Sequence, residues 1–184
     1  MTRQYQAPKR SLKSIAGLSA KRNGADAEDL VEQMARHYEL NGVAEVSKRY
    51  EPYRRLGGSA GTTFKAMYLG VSGCDYELWL PDGRAGHMEM KSREAERIPK
   101  DAIDQTQKAQ LHRRLAWGQL ALVLVRLQGA WYLVDFRRWN DGDRKSHNRL
   151  QLLEIGVAVP LTPAGLPDFL SVLPLALAPH ILVR

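Results

Sequence analysis

Residues 74–91 read Cys74-Asp75-Tyr76-Glu77-Leu78-Trp79-Leu80-Pro81-Asp82-Gly83-Arg84-Ala85-Gly86-His87-Met88-Glu89-Met90-Lys91. Two strand-like runs, 74–80 and 85–91, flank Pro81-Asp82-Gly83-Arg84, and Asp-Gly between such runs is a strong hairpin signal. Strand alternation puts Glu89 and Lys91 on one face of the second run and Met88 and Met90 on the other. That face therefore carries an acid and a lysine, beside a second acid, Asp75, at the start of the neighbouring strand. Metal-assisted phosphodiester hydrolysis needs such a set. Two carboxylates hold a hard cation through oxygen, which neutralises the scissile phosphate and acidifies a water. An adjacent lysine orients that water and holds a phosphate oxygen as a point charge. The plainer reading is a surface hairpin with Glu89 and Lys91 as solvated charges, since Asp…Glu-x-Lys is short and frequent. Loop length separates the two. A two-residue Asp82-Gly83 loop pairs position 75 with 90, which sets Asp75 and Glu89 on opposite faces. The site requires a loop of three or four residues, a bulge, or a bend at Asp75.

On the N-terminal side, Ala27, Leu30, Val31, Met34, Ala35 and Tyr38 recur at helical spacing, and Asn41-Gly42 supplies a stop. Glu28 and Glu32 lie one turn apart and share a face, ordinarily the solvated side of such a helix. Residues 43–49 alternate like a strand. Residues 51–70, with Arg54, Arg55, Lys65 and the glycines Gly57, Gly58 and Gly61, suit a basic excursion. On the C-terminal side, 101–115 reads as a helix carrying Ile103, Leu111 and Leu115, with Gln107 near its apolar positions, where a glutamine is ordinarily a boundary residue. Residues 119–126 (QLALVLVR) are apolar almost throughout, as in a strand buried on both faces, and 130–136 form its hairpin partner. Residues 141–184 open with Arg144, Lys145, His147 and Arg149, then hold five of the nine prolines, which predicts irregular, packed turns.

The 184 residues carry 27 Lys and Arg against 20 Asp and Glu, a net charge of +7. The length suits one domain, and the 44% hydrophobic content excludes wholesale disorder. No apolar run approaches the ~20 residues that span a bilayer, and no apolar leader core is present, so no membrane partner is expected. The single cysteine, Cys74, excludes an internal disulfide and a multi-cysteine zinc site. The charge is uneven: residues 1–22 hold Arg3, Lys9, Arg10, Lys13, Lys21 and Arg22 without an acid. This predicts a flexible basic arm over 1–22, either a solvated tail or a nucleic-acid-binding arm, ahead of a single domain over 23–184.

In order, these segments resemble the RecU-type Holliday junction resolvases, within the PD-(D/E)XK nuclease superfamily. Asn23-Gly24-Ala25-Asp26-Ala27-Glu28 is similar to the family's Asn-Arg-Gly-x-x-x-Glu helix start, and Gly42-Val43-Ala44-Glu45-Val46-Ser47-Lys48-Arg49 to its Gly-Ile-Ala-x-x-x-Lys-Lys strand. Asp75-Tyr76 matches its Asp-Tyr, and Met88-Glu89-Met90-Lys91 its Phe-Glu-Ala-Lys. Asp104-Gln105-Thr106-Gln107 falls at its His-Gln helix, and Arg144-Lys145-Ser146 resembles its Arg-Lys-Ser. The chain departs from the family at Cys74, at Met90 and in a shorter stalk.

The resemblance implies an α/β fold, a restriction-endonuclease-like mixed central β-sheet flanked by helices. It implies a catalytic set of Glu28, Asp75, Glu89 and Lys91, supported by Gln107. Asp75, Glu89, Glu28 and the backbone carbonyl of Met90 would hold Mg²⁺, for which Mn²⁺ substitutes; no small-molecule cofactor is expected. The DNA would be gripped by Arg54, Arg55 and Lys65 of a stalk-like 51–70 excursion, by Lys48, Arg49, Arg144 and Lys145, and by Lys21 and Arg22 of the arm. The implied partners are a branched DNA, the four-way junction, and a second copy of the chain. A homodimer's two-fold axis matches symmetric cuts on two strands. The implied location is the cytoplasm of a bacterial or phage-infected cell.

Overall fold

The structure, a computed structural model, describes residues 12–50, 53–55, 66–68 and 73–178, with side chains over 26–50 and 73–178. Helix α1 (Leu12–Leu40) leads into strand β1 (Glu45–Lys48). A separate two-strand ladder, β2 (Tyr53–Arg55) and β3 (Ala66–Tyr68), precedes β4 (Tyr76–Trp79) and β5 (Ala85–Arg93). Next come β6 (Arg97–Pro99), α2 (Gln105–Ala116), β7 (Leu120–Leu127), β8 (Ala130–Asp135) and α3 (Phe136–Trp139). The described chain closes with β9 (Ser146–Asn148), α4 (Arg149–Ile155), β10 (Gly156–Val159) and α5 (Leu173–Leu177).

Six strands form the main sheet in the order β1-β4-β5-β7-β8-β10. All neighbours are antiparallel except β5 and β7, which run parallel. A parallel pair needs a crossover, and α2 lies within that connection. The protein is thus α/β, with a mixed central sheet flanked by helices.

Strand alternation divides the core between the two faces. Tyr76, Leu78, Met88, Met90, Leu122 and Leu124 pack with Ala27, Val31, Met34 and Tyr38 of α1. Ala121, Val123 and Val125 point the other way, into a cluster with Ile98, Ile103, Leu111, Trp139 and Leu152. Strand β7 is accordingly buried on both sides, which is why its sequence is an unbroken apolar run. Because Met88 and Met90 face α1, Glu89 and Lys91 face α2.

Two stretches differ from the sequence expectation. Helix α1 is continuous from Leu12, so 12–22 is helical backbone instead of a flexible arm. Lys and Arg are good helix formers, and one internal Gly costs only about 1 kcal/mol, so missing apolar periodicity did not mean missing helix. Residues 1–11 of the expected arm lie outside the described residues. The 141–159 stretch, expected as turns, forms β9, α4 and the sheet-edge strand β10, each too short for its periodicity to register. The proline-rich end packs on α1: the Tyr38 hydroxyl donates to Asp168 Oδ1 (2.7 Å) and accepts from the Leu170 N–H (2.9 Å), with its ring edge-on to Phe169. No helix among the described residues is long and apolar enough to cross a membrane.

Candidate active site

The β4–β5 loop has three residues, not two. The Leu80 N–H donates to the Arg84 carbonyl (2.9 Å), and the Gly83 N–H donates to the Leu80 carbonyl (3.0 Å). Gly83 takes φ +86°, the left-handed position that closes a three-residue hairpin, and an L side chain is strained there. The Asp82 carboxylate accepts the Arg84 N–H at 3.0 Å and holds the turn. The extra residue moves the register to Tyr76↔Met88 and Glu77↔His87. One step further, Asp75 lies opposite Glu89, on the same face. The alignment that excludes a shared site is therefore absent.

Asp75 sits just before β4, where its Oδ2 accepts the Met90 N–H at 2.8 Å. In a strand the carbonyl of a residue points to the same side as its N–H, so the Met90 carbonyl also faces the Asp75 end of β4. Glu89 is fully buried. Its Oε1 accepts from Lys91 Nζ and from Gln107 Nε2, both at 2.5 Å, while Oε2 is buried with no hydrogen-bond partner.

Burial, and then the neighbouring Asp75 charge, push the Glu89 carboxyl up to about 8, against the pull of Lys91. Asp75 is also raised by burial, opposed by the Met90 N–H and by Lys91. Two carboxyls this close cannot both ionise at neutral pH without added positive charge, so together they retain a proton. A divalent cation would replace that proton, and the orphaned Glu89 Oε2 supplies a free oxygen for it. The residues fit a hard cation.

Gln107 reaches the site because Asp104 starts α2. The Asp104 side chain accepts the Gln107 N–H (2.8 Å) and the Gln107 side-chain oxygen accepts the Asp104 N–H (3.0 Å), forming a capping box. With its oxygen used by the cap, the Gln107 amide nitrogen points at Glu89. The residue is both a helix boundary and part of the site.

Glu28 is placed differently from the expectation. It lies on α1, which covers the opposite face of the sheet, and Lys48 binds it at 2.8 Å and Glu32 at 2.6 Å. Glu28 is near enough for its charge to act on Asp75. However, no group of three or more His, Cys, Asp or Glu capable of holding a metal occurs among the described residues. Two carboxylates converge, not three, because Lys48 already neutralises Glu28.

The expected DNA-contacting cations are also partly committed. Lys48 is held by Glu28 and Glu32, Arg49 pairs with Glu77 at 2.9 Å, and Arg144 pairs with Glu154 at 2.5 Å. Lys145 is exposed. Lys21 and Arg22 belong to α1, and Arg54 and Arg55 to β2, with side chains outside the described residues, as is the whole of Lys65. The sequence reading missed the polar layer next to the site: His87 is buried, 3.9 Å from Glu77, on the same face as Glu89. Its strand parity with Glu89 was the available signal.

No protein-family model matches the chain, and no curated protein does. Among solved structures it is similar to Hjc, a Holliday junction resolvase of the archaeal hyperthermophile Archaeoglobus fulgidus, with 13% sequence identity and a TM-score of 0.45. The likeness covers 71% of this chain and 94% of that one.

Proposed function

We propose that the chain is a Mg²⁺-dependent endodeoxyribonuclease, with Mn²⁺ as a substitute, that nicks four-way DNA junctions symmetrically as a homodimer in the cytoplasm. The observation that carries the hydrolytic reading is the facing pair Asp75 and Glu89, with Lys91 and Gln107 on the same Glu89 oxygen. The junction and the dimer rest on the ordered sequence motifs.

Asp75, Glu89 and the Met90 carbonyl would hold the cation. When bound, it supplies charge neutralisation at the scissile phosphate and a more acidic water. Lys91, one-fifth exposed and hydrogen-bonded to Glu89, extends from the buried carboxylate toward solvent. It orients the attacking water and holds a phosphate oxygen. Gln107 fixes the Glu89 rotamer from α2, so that the free oxygen keeps its direction. Met90 fixes Asp75 through its N–H.

The test incubates the chain and its Asp75→Ala variant with Mg²⁺ and three DNAs: a mobile four-way junction, a fork and a linear duplex. Symmetric nicking of the junction alone, lost in the variant, supports the proposal. Equal cutting of linear duplex leaves a general nuclease, and tight binding without cutting leaves a non-catalytic recombination accessory protein.

A further inference from the structure

The edge of α2 next to Asp75 carries Gln107, Gln110 and Arg114, and Trp117 caps the helix, the four spaced three, four and three residues apart and therefore along one stripe. Gln107 begins it at Glu89. Gln110 packs on Gly73, where a Cβ would fall 1.8 Å from Gln110 Oε1, so α2 touches the segment that leads into Asp75. Arg114 follows, and its charge acts on both Cys74 and His87 of the site face. Trp117 ends the stripe, 62% exposed, with the Arg114 guanidinium 5.1 Å from its ring centroid.

The helix contains Lys108, Arg113 and Arg114 and no acid. Among the described residues none of these three makes an ion pair. Cations in a last turn favour the helix dipole, but the dipole gives no reason to expose a tryptophan against one of them.

We propose that this stripe is the track for the nucleic-acid strand leading away from the Asp75–Glu89 centre, with Arg114 on a backbone phosphate and Trp117 stacked on an unpaired base. The proposal rests on the nuclease reading and adds the contact that selects the substrate. A guanidinium matches phosphate geometry with paired donors, and an exposed aromatic ring stacks on any base freed from its partner. From Gln107 to Trp117 the helix rises about 15 Å, or about four nucleotides at ~3.4 Å each. The stacked base thus lies about four nucleotides from the cut. In a four-way junction the base pairs at the exchange point have lost a stacking neighbour, so a base there opens more readily than one inside continuous duplex.

Binding is measured without metal in the Asp75→Ala background, on a four-way junction and on linear duplex over a range of salt. Trp117→Ala weakens junction binding roughly 5- to 100-fold and leaves duplex binding unchanged. Arg114→Gln lowers the slope of log affinity against log salt by about one, and Arg114→Lys keeps the slope. A junction carrying 2-aminopurine near the branch point loses fluorescence on binding the parent but not Trp117→Ala. Thermal midpoints equal to the parent's show that these surface variants fold. Variants that bind both DNAs with the parent's affinity and slope overturn the track while leaving the nuclease reading intact. A parent that binds neither DNA, with an unsubstituted chain that cuts neither, overturns both.

Discussion

Asp75 faces Glu89 across the β4–β5 ladder because Pro81-Asp82-Gly83 is a three-residue loop that shifts the register by one from a two-residue turn. In a sheet a one-residue slip exchanges the two faces, so the whole site depends on the conformation of this one turn.

Asp75→Ala removes one of two oxygen donors and leaves Glu89 with less reason to stay protonated. The loss of several kcal/mol of charge stabilisation lowers the cleavage rate by roughly 10³-fold or more. Junction binding in the absence of metal changes little, because phosphate contacts carry most DNA affinity. A single-turnover cleavage assay beside a gel-shift titration measures the two effects separately.

The turn itself gives a second pair of variants. Gly83→Ala meets no steric obstruction but places a Cβ at φ +86°, so stability falls by about 1 kcal/mol with cleavage retained. Pro81→Val combined with Asp82→Asn favours a two-residue Asn-Gly loop that pairs position 81 with 84, turns Asp75 away from Glu89 and abolishes cleavage. Circular dichroism distinguishes this from unfolding, since the sheet remains.

Glu89 makes stability depend on pH. Its carboxyl is raised from 4.5 to about 8 in the folded chain. For a group raised on folding, the stabilisation is fully present below the unfolded value and is lost as pH rises through the folded one. Without metal, Tm therefore falls between about pH 5 and pH 9, by several degrees, and Glu89→Gln flattens the profile. Mg²⁺ displaces the proton, so its affinity rises with pH over the upper part of this window, and calorimetry in buffers of different ionisation enthalpy detects the released proton.

The sequence showed the parts of this site that are local. Strand parity placed Glu89 and Lys91 together, and Asp-Gly marked the turn. The length of that turn was not legible, because Asp-Gly serves both a two-residue and a three-residue loop. Glu28 was misplaced for a different reason. Its partner Lys48 is twenty residues away on β1, and nothing in either segment alone says that the lysine takes the carboxylate first. Strands β6, β9 and β10 escaped notice because three or four residues cannot establish a period. Gln107 was visible as a helix-boundary residue, but its second bond, to Glu89, exists only once α2 has packed on the sheet.

Lys48 separates a structural role from a DNA-contacting one. Its ammonium bridges Glu28 and Glu32 at 2.8 and 2.6 Å and is only partly exposed. Lys48→Met leaves two like charges one helical turn apart, so stability falls by about 1 kcal/mol. Because the ammonium is already neutralised, the variant binds DNA with the same salt slope as the parent. A slope smaller by about one means instead that DNA draws Lys48 away from Glu28. Glu28 would then be released toward Asp75, and in that case Lys48→Met also tightens Mn²⁺ binding, read by electron paramagnetic resonance of the free ion.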